Sequence, residues 1–186
     1  GNRSMIVFFG PAGAGKSVQG QILAARFGWR WLSAGQLLRD SKDIEVLKQM
    51  RTGNLVTTET VNRLMGEALN RACDIPNVIL DGFPRELSQA IWLTDEASIK
   101  CHRDVKLIIS LEVPRAELHN RLKIRGRVDD LPEVIDKRIA IYQKEIYPVL
   151  SHFADRGVKI THIDGVGTVG QVHDRIVEEL EACKII

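Results

Sequence analysis

The sequence predicts an α/β fold, a three-layer α/β/α arrangement around a five-stranded parallel sheet. Three observations lead there: short apolar runs with little alternation, intervening segments with helical spacing, and a glycine-rich turn that closes the first run. Residues 5–9, all apolar, form that first run. Similar runs follow at 29–32, 78–80, 105–109 and 158–163, a length and composition that suit strands buried on both faces. Between them, 17–27 carries Val18, Ile22 and Ala25 on one expected helix face. Residues 61–69 place Val61, Leu64, Met65, Ala68 and Leu69 at helical spacing. A long helix is expected over 132–153, which Pro148 should bend or end, and an amphipathic helix over 168–183. Strands alternating with helices imply a parallel sheet covered on both faces.

Bulk composition narrows the function classes. The 186 residues hold 44% hydrophobic and 27% charged side chains with a formal net charge of +2, which suits one domain and does not favour a general nucleic-acid or membrane binder. No apolar run approaches the roughly 18 residues that span a bilayer. No basic segment followed by an apolar stretch opens the chain, so a cytoplasmic protein is expected. Gly1 to Ser4 precede Met5 and are expected to be a remnant outside the fold. Cys73, Cys101 and Cys183 lie far apart without zinc-type spacing, and reduced thiols are expected.

Gly10-Pro11-Ala12-Gly13-Ala14-Gly15-Lys16-Ser17 matches G-x-x-x-x-G-K-[ST] in full. The motif follows an expected strand and opens an expected helix, as a phosphate cradle requires. Glycines let backbone N–H groups turn inward around phosphate oxygens. The positive helix end favours the anion. Lys16 can reach the β- and γ-phosphates, and the Ser17 hydroxyl can bind Mg2+ or a phosphate oxygen. This P-loop predicts a nucleoside triphosphate site but leaves kinase, GTPase, ATPase and regulator open.

Asp81 ends an expected buried strand and is followed by Gly82-Phe83-Pro84-Arg85. Active sites of open parallel sheets lie at that end of the strands. Asp81 there either orients Mg2+ through water or caps the next helix, and Arg85 is placed to hold a phosphate bidentately. Downstream, Arg121, Arg125, Arg127 and Arg138 fall within one stretch, and Arg121 and Arg125 share a helix face. Taken alone they read as a solvated basic face.

Five segments occur in one order: the phosphate loop, Leu32-Ser33-Ala34-Gly35-Gln36-Leu37-Leu38-Arg39, Gly53-Asn54-Leu55-Val56, Asp81 to Arg85 with Gln89-Ala90, and Gly126-Arg127-Val128-Asp129-Asp130. Together they resemble the adenylate kinase family of nucleoside monophosphate kinases in its short-lid form, over almost the whole chain. The resemblance implies a P-loop NTPase domain with a helical monophosphate-binding insertion over 33–63 and a short lid over 122–130. It implies ATP on Gly13, Ala14, Gly15, Lys16, Ser17, Val18, Arg121 and Arg125. The monophosphate would lie on Ser33, Ala34, Arg39, Val56, Gly82, Arg85 and Gln89, where Gln89 reads the base. Lys16, Arg85, Arg127 and Arg138 would act on the transferring group, with Ser17 and Asp81 directed at Mg2+. A monomer that binds small nucleotides is expected, with neither nucleic acid nor membrane as partner.

The chain departs from the family pattern at several points. Ser17-Val18 stands where Gly-Thr is usual, which moves the hydroxyl by one residue. Ala34-Gly35-Gln36 replaces Thr-Gly-Asp. Alanine there resembles the UMP/CMP kinases, whereas Gln89 is the adenylate kinase choice. Gln89 weighs more, because its amide bonds a base edge directly. The stretch between Arg125 and Gly126 is shortened, so incomplete lid closure and measurable ATP hydrolysis without acceptor are expected. The expected reaction is ATP plus AMP giving two ADP with Mg2+. The alternatives are a UMP/CMP kinase of the same fold and a nucleotide-binding regulator with decayed activity.

Overall fold

The computed structural model describes residues 3–52, 56–126 and 131–186. Five strands, β1 (Arg3–Phe9), β2 (Arg30–Ser33), β3 (Asn77–Asp81), β4 (Arg103–Glu112) and β5 (Lys159–Asp164), pair in parallel in the order β2-β3-β1-β4-β5. Each coincides with an expected run, so the five-stranded parallel sheet and its α/β layering stand as read from the sequence. The strands reach further than the apolar runs because backbone pairing continues under polar side chains at both ends. Arg3 and Ser4, expected to lie outside the fold, belong to β1. Ser4 is 3% exposed and pairs with Asn77, and its N–H donates to Pro76 O at 3.0 Å.

Side-chain alternation along the central strand divides the core in two. Met5, Val7 and Phe9 of β1 pack into one cluster with Val78, Leu80 and Ile108. Helices α4 (Thr58–Arg71), α5 (Leu87–Trp92) and α8 (Pro132–Asp155) cover that face, with Met65, Leu69, Ala90, Val149 and Phe153 in the same cluster. Ile6 and Phe8 point the other way, toward Ile79, Leu107 and Ile109. There they meet Leu23 of α1 (Lys16–Phe27) and Ile176 of α9 (Val169–Ala182). A π-turn at Leu93–Ala97 joins α5 to α6 (Ser98–Cys101). α7 (Arg115–Arg125) packs on the start of α8 through Leu118, Leu122, Ile135 and Ile139. The 33–63 stretch holds α2 (Ala34–Asp40), α3 (Ile44–Arg51) and the first residues of α4.

One helix expectation needs correction and another is narrowed. In α1 the buried residues are Gln19, Gly20 and Leu23, whereas Val18 is 49% exposed and Ala25 is also exposed. Periodicity of apolar residues misread this face because a polar side chain and a glycine occupy it. Gln19 Nε2 donates to Val169 O at 3.0 Å, and Gly20 lies under Trp31. Helix α8 does not end at Pro148 but continues to Asp155. Val149 and Phe153, both 0% exposed, anchor the turns beyond it in the core, which offsets the hydrogen bond that proline removes.

Candidate active site

The loop after β1 is a phosphate cradle by its backbone. Gly13 and Gly15 sit at φ +88 and +90, a region that side chains with a Cβ avoid. Gly15 is also the N-cap of α1, so the N–H groups of the first helical turn open toward the loop. Ala14 N–H donates to Pro11 O at 3.0 Å and closes the loop on itself.

Asp81 is the hub of the site. It ends β3, is 2% exposed, and faces Ser33 across the β2–β3 ladder. Its Oδ2 accepts from Ser17 Oγ at 2.6 Å and from Trp31 Nε1 at 3.0 Å, while Lys16 Nζ lies 3.4 Å from Oδ1. The helix-capping alternative for Asp81 is not what forms: α5 begins after Glu86, and Asp81 is engaged by the cradle. Ser17 and Asp81 are hard oxygen donors held together at the cradle, a donor set that fits Mg2+ alongside phosphate oxygens. Among the described residues no cluster of three or more His, Cys, Asp or Glu side chains forms a self-sufficient metal site.

A cavity of about 440 Å³ opens beside the cradle. Lys16 and Ser17 line it together with Ser33, Arg39, Gly82, Arg85 and Arg138. Arg39 NH2 donates to Gln36 Oε1 at 3.0 Å, and Gln36 Nε2 donates in turn to Asp40 Oδ1 at 2.8 Å. A neutral acceptor thus orients the Arg39 guanidinium without cancelling its charge. Gln89 is 6% exposed, and its Oε1 accepts from the Arg85 N–H at 2.8 Å, tying the two residues together. Ser33 caps α2, its hydroxyl accepting from Gln36 N–H, and Ala34 is buried beside it. Val56, half-buried, precedes Thr57, the N-cap of α4.

The remaining expected residues sit differently. Arg121 lies behind the cradle, donating to Gly13 O at 3.0 Å, Gly165 O at 2.7 Å and Glu117 Oε1 at 3.0 Å. Arg125 ends α7 and Gly126 follows it as the C-cap. Val18, exposed on α1, is not among the cavity-lining residues. Arg127, with the other residues of 127–130 in the expected lid, and Gly53, Asn54 and Leu55 lie outside the described residues.

Two contributors escaped the sequence reading. Trp31 appeared only as part of a strand, yet its indole N–H reaches the Asp81 carboxylate. Tyr142 lines the cavity from α8. Burial pushes its phenol pKa well up and nearby Glu112 adds to that, against Arg85 and the Gly10 N–H, so the hydroxyl stays protonated across the working pH range. Nothing in the spacing of apolar residues along α8 separates a core tyrosine from one facing a ligand.

Comparison with known proteins bears on this arrangement. A family model described as "Adenylate kinase" matches residues 8–158. The chain is 35% identical over 176 residues to a protein named Adenylate kinase from Mycolicibacterium paratuberculosis (strain ATCC BAA-968 / K-10), covering 91% of this chain and 95% of that one. It is 37% identical over 186 residues to an Adenylate kinase from Maricaulis maris (strain MCS10), covering 95% and 98%.

Proposed function

The chain belongs to the adenylate kinase family, and from that premise we propose that it transfers the γ-phosphoryl group of ATP to AMP, giving two ADP, with Mg2+. One observation carries the reading: Lys16 and Ser17 of the phosphate cradle share a single cavity with Arg39, Arg85 and Arg138. A cradle lysine and three arginines lining one space suit two phosphorylated molecules bound together. A cavity for a triphosphate alone has no need of a second set of guanidinium groups.

In this reading the cradle N–H groups and Lys16 bind the donor phosphates. Arg39 and Arg85 hold the acceptor phosphate in line, and the proximity lowers the barrier by making the encounter intramolecular. Arg138, with Arg127, stabilises charge that grows on the transferring oxygens. Ser17 and Asp81 would hold Mg2+ directly or through water, and the bound ion neutralises charge on the β- and γ-phosphate oxygens. Arg121 acts on the donor side by bracing the Gly13 carbonyl, and Arg125 extends that side toward the lid. Gln89 reads the acceptor base through its amide, with its orientation fixed by the Arg85 main chain. The 33–63 insertion, which includes α2 and α3, is the acceptor flap, and 122–130 is the lid. A monomer suffices for this reading, since every proposed role falls on one chain.

The test is an acceptor panel. With Mg-ATP as donor, AMP is expected to exceed CMP, UMP and GMP by at least about tenfold in kcat/KM, the scale of one base-reading hydrogen bond. Preference for CMP or UMP would reassign the acceptor to the pyrimidine side, where Ala34 already points. Nucleotide binding without turnover of any monophosphate would remove the kinase reading altogether.

A further inference from the structure

Asp81 draws its hydrogen bonds from two sources of different character. Ser17 and Lys16 belong to the cradle and have phosphates and Mg2+ to attend to. Trp31 belongs to the neighbouring strand and has none. We propose that Trp31 is a positioning residue for the phosphoryl-transfer site, and that its indole N–H fixes the Asp81 carboxylate while the cradle residues turn to the nucleotide. This rests on the proposed kinase reading and deepens it.

The geometry follows from strand register. Ser33 lies opposite Asp81, and Trp31 lies opposite Ile79 in the same parallel ladder. Residues two apart on a strand share a face, so Trp31 and Asp81 are diagonal neighbours on one side of the sheet. Two residues along one strand and one strand across is a diagonal of roughly 8 Å, beyond the reach of small side chains but not of an indole. The bond that results is 3.0 Å from Nε1 to Oδ2.

The ring is held in that position by α1. A Cβ added at Gly20 would lie 2.8 Å from Trp31 Cδ1 and 3.1 Å from Nε1. Only a glycine lets the helix come this close, so the indole is clamped between helix and sheet. A donor held this way has lost its rotamer freedom before any ligand arrives. It is also neutral, so an arriving triphosphate does not draw it off the carboxylate, as it would the Lys16 ammonium at 3.4 Å. Serine is different again, because its oxygen can serve a metal while its proton still goes to Oδ2. With nucleotide bound, Trp31 is therefore the donor without a ligand role that keeps Asp81 at its original angle, and the Ser17 hydroxyl and any metal-bound water find the carboxylate where they need it.

A pair of substitutions separates this role from simple packing. Trp31→Phe keeps an aromatic ring against Gly20 and removes the N–H. Trp31→Gln discards the ring but carries an amide nitrogen the same number of bonds from Cβ as the indole nitrogen. Loss of one hydrogen bond to a charged group predicts that Trp31→Phe lowers kcat about tenfold with KM for the monophosphate unchanged. Calorimetric titration of ATP, with Mg2+ and with chelator, gives a readout independent of turnover. Trp31→Phe should bind ATP in chelator as the parent does and lose roughly five- to tenfold of the affinity that Mg2+ adds. Trp31→Gln should melt at lower temperature yet recover most of kcat and of the Mg2+ enhancement.

Parental kcat and parental Mg2+ enhancement in Trp31→Phe would overturn the proposal. So would a Trp31→Gln protein that is folded but as impaired as Trp31→Phe in both readouts, since packing would then be the whole effect. Kinetics are read with whichever monophosphate the parent turns over. A parent that ignores AMP, or turns over none, refutes the function proposed above, and the calorimetric arm still decides the role of Trp31.

Discussion

At the N-terminal end of the sheet, Arg103 is 1% exposed, and its guanidinium donates to four main-chain carbonyls: Ser4 and Pro76 from NH1, Ala72 and Ile75 from NH2, at 2.7–3.0 Å. At the C-terminal end, Arg39, Arg85 and Arg138 line a cavity, and Arg39 and Arg85 are exposed. The side chain is the same, and its surroundings decide what it does. Carbonyl dipoles surround Arg103 on both terminal nitrogens and turn a buried cation into a clasp between β1, β4 and the turn before β3. Burial pulls its pKa down, with Arg3 adding to the effect, and the main-chain acceptors offset that cost. In the cavity the exposed guanidinium groups of Arg39 and Arg85 keep faces open to an incoming anion. Arg121 is intermediate: it stands next to the cradle but gives its bonds to Gly13 and Gly165 carbonyls, so it supports the site from behind.

The comparison breaks most sharply at Arg85. Arg85→Ala should lower kcat by about 10²- to 10³-fold with an unchanged melting temperature, because only the ligand loses a partner. A similar loss with weaker ATP binding is expected for Lys16→Ala. Steady-state kinetics beside thermal unfolding check both, and near-parental turnover in Arg85→Ala would contradict the assignment. Arg103→Met should do the reverse: stability falls by about 3 kcal/mol, since buried carbonyls lose a charged donor, while kcat per folded molecule holds. Urea unfolding with activity measured at low denaturant reads that split. Arg121→Ala should fall between them, raising KM for ATP roughly fivefold with a slight loss of stability. An Arg121→Ala protein with a hundredfold kcat defect would instead mean direct contact with the transferring group.

The smallest effect concerns buried histidines, where charge is excluded from the interior. His152 and His173 are 7% and 9% exposed, and burial lowers the pKa of each below the ordinary 6.5, with Arg156 and Arg26 adding to it. The unfolded chain then takes up protons first. Stability should be full above about pH 6.5 and decline as pH falls through the depressed folded values. His152→Gln should flatten that decline, which urea midpoints between about pH 7.5 and about pH 5 would register. An unchanged slope would show that His152 is not a source of it.

The three central strands could be read in the sequence because their apolar runs are buried on both faces, whereas the edge strands β2 and β5 are only partly buried and showed as shorter or more mixed runs. Strand ends could not be read, since Arg103, Ser110 and Glu112 pair through the backbone whatever their side chains are. The phosphate cradle was legible as a motif, and Asp81 and Arg85 as residues at a strand's end. Gln36 looked like a departure from pattern, and its use as the neutral partner of Arg39 needed coordinates. The α1 face was misassigned because Gly20 is buried for what it lacks. For the same reason Trp31 stayed hidden: strand register, invisible in one dimension, is what brings it beside Asp81.

The strand that carries the cradle is central, with β3 on one side and β4 on the other. During synthesis it is made first, but its two neighbours are complete only after residues 81 and 112. Until then the nascent segment exposes bare amide edges and the apolar side chains of Ile6 and Phe8, so non-local contacts must close before the sheet can grow outward. Translation interrupted before β4 would therefore leave a fragment without a foldable nucleus, prone to proteolysis and aggregation however intact its nucleotide motif.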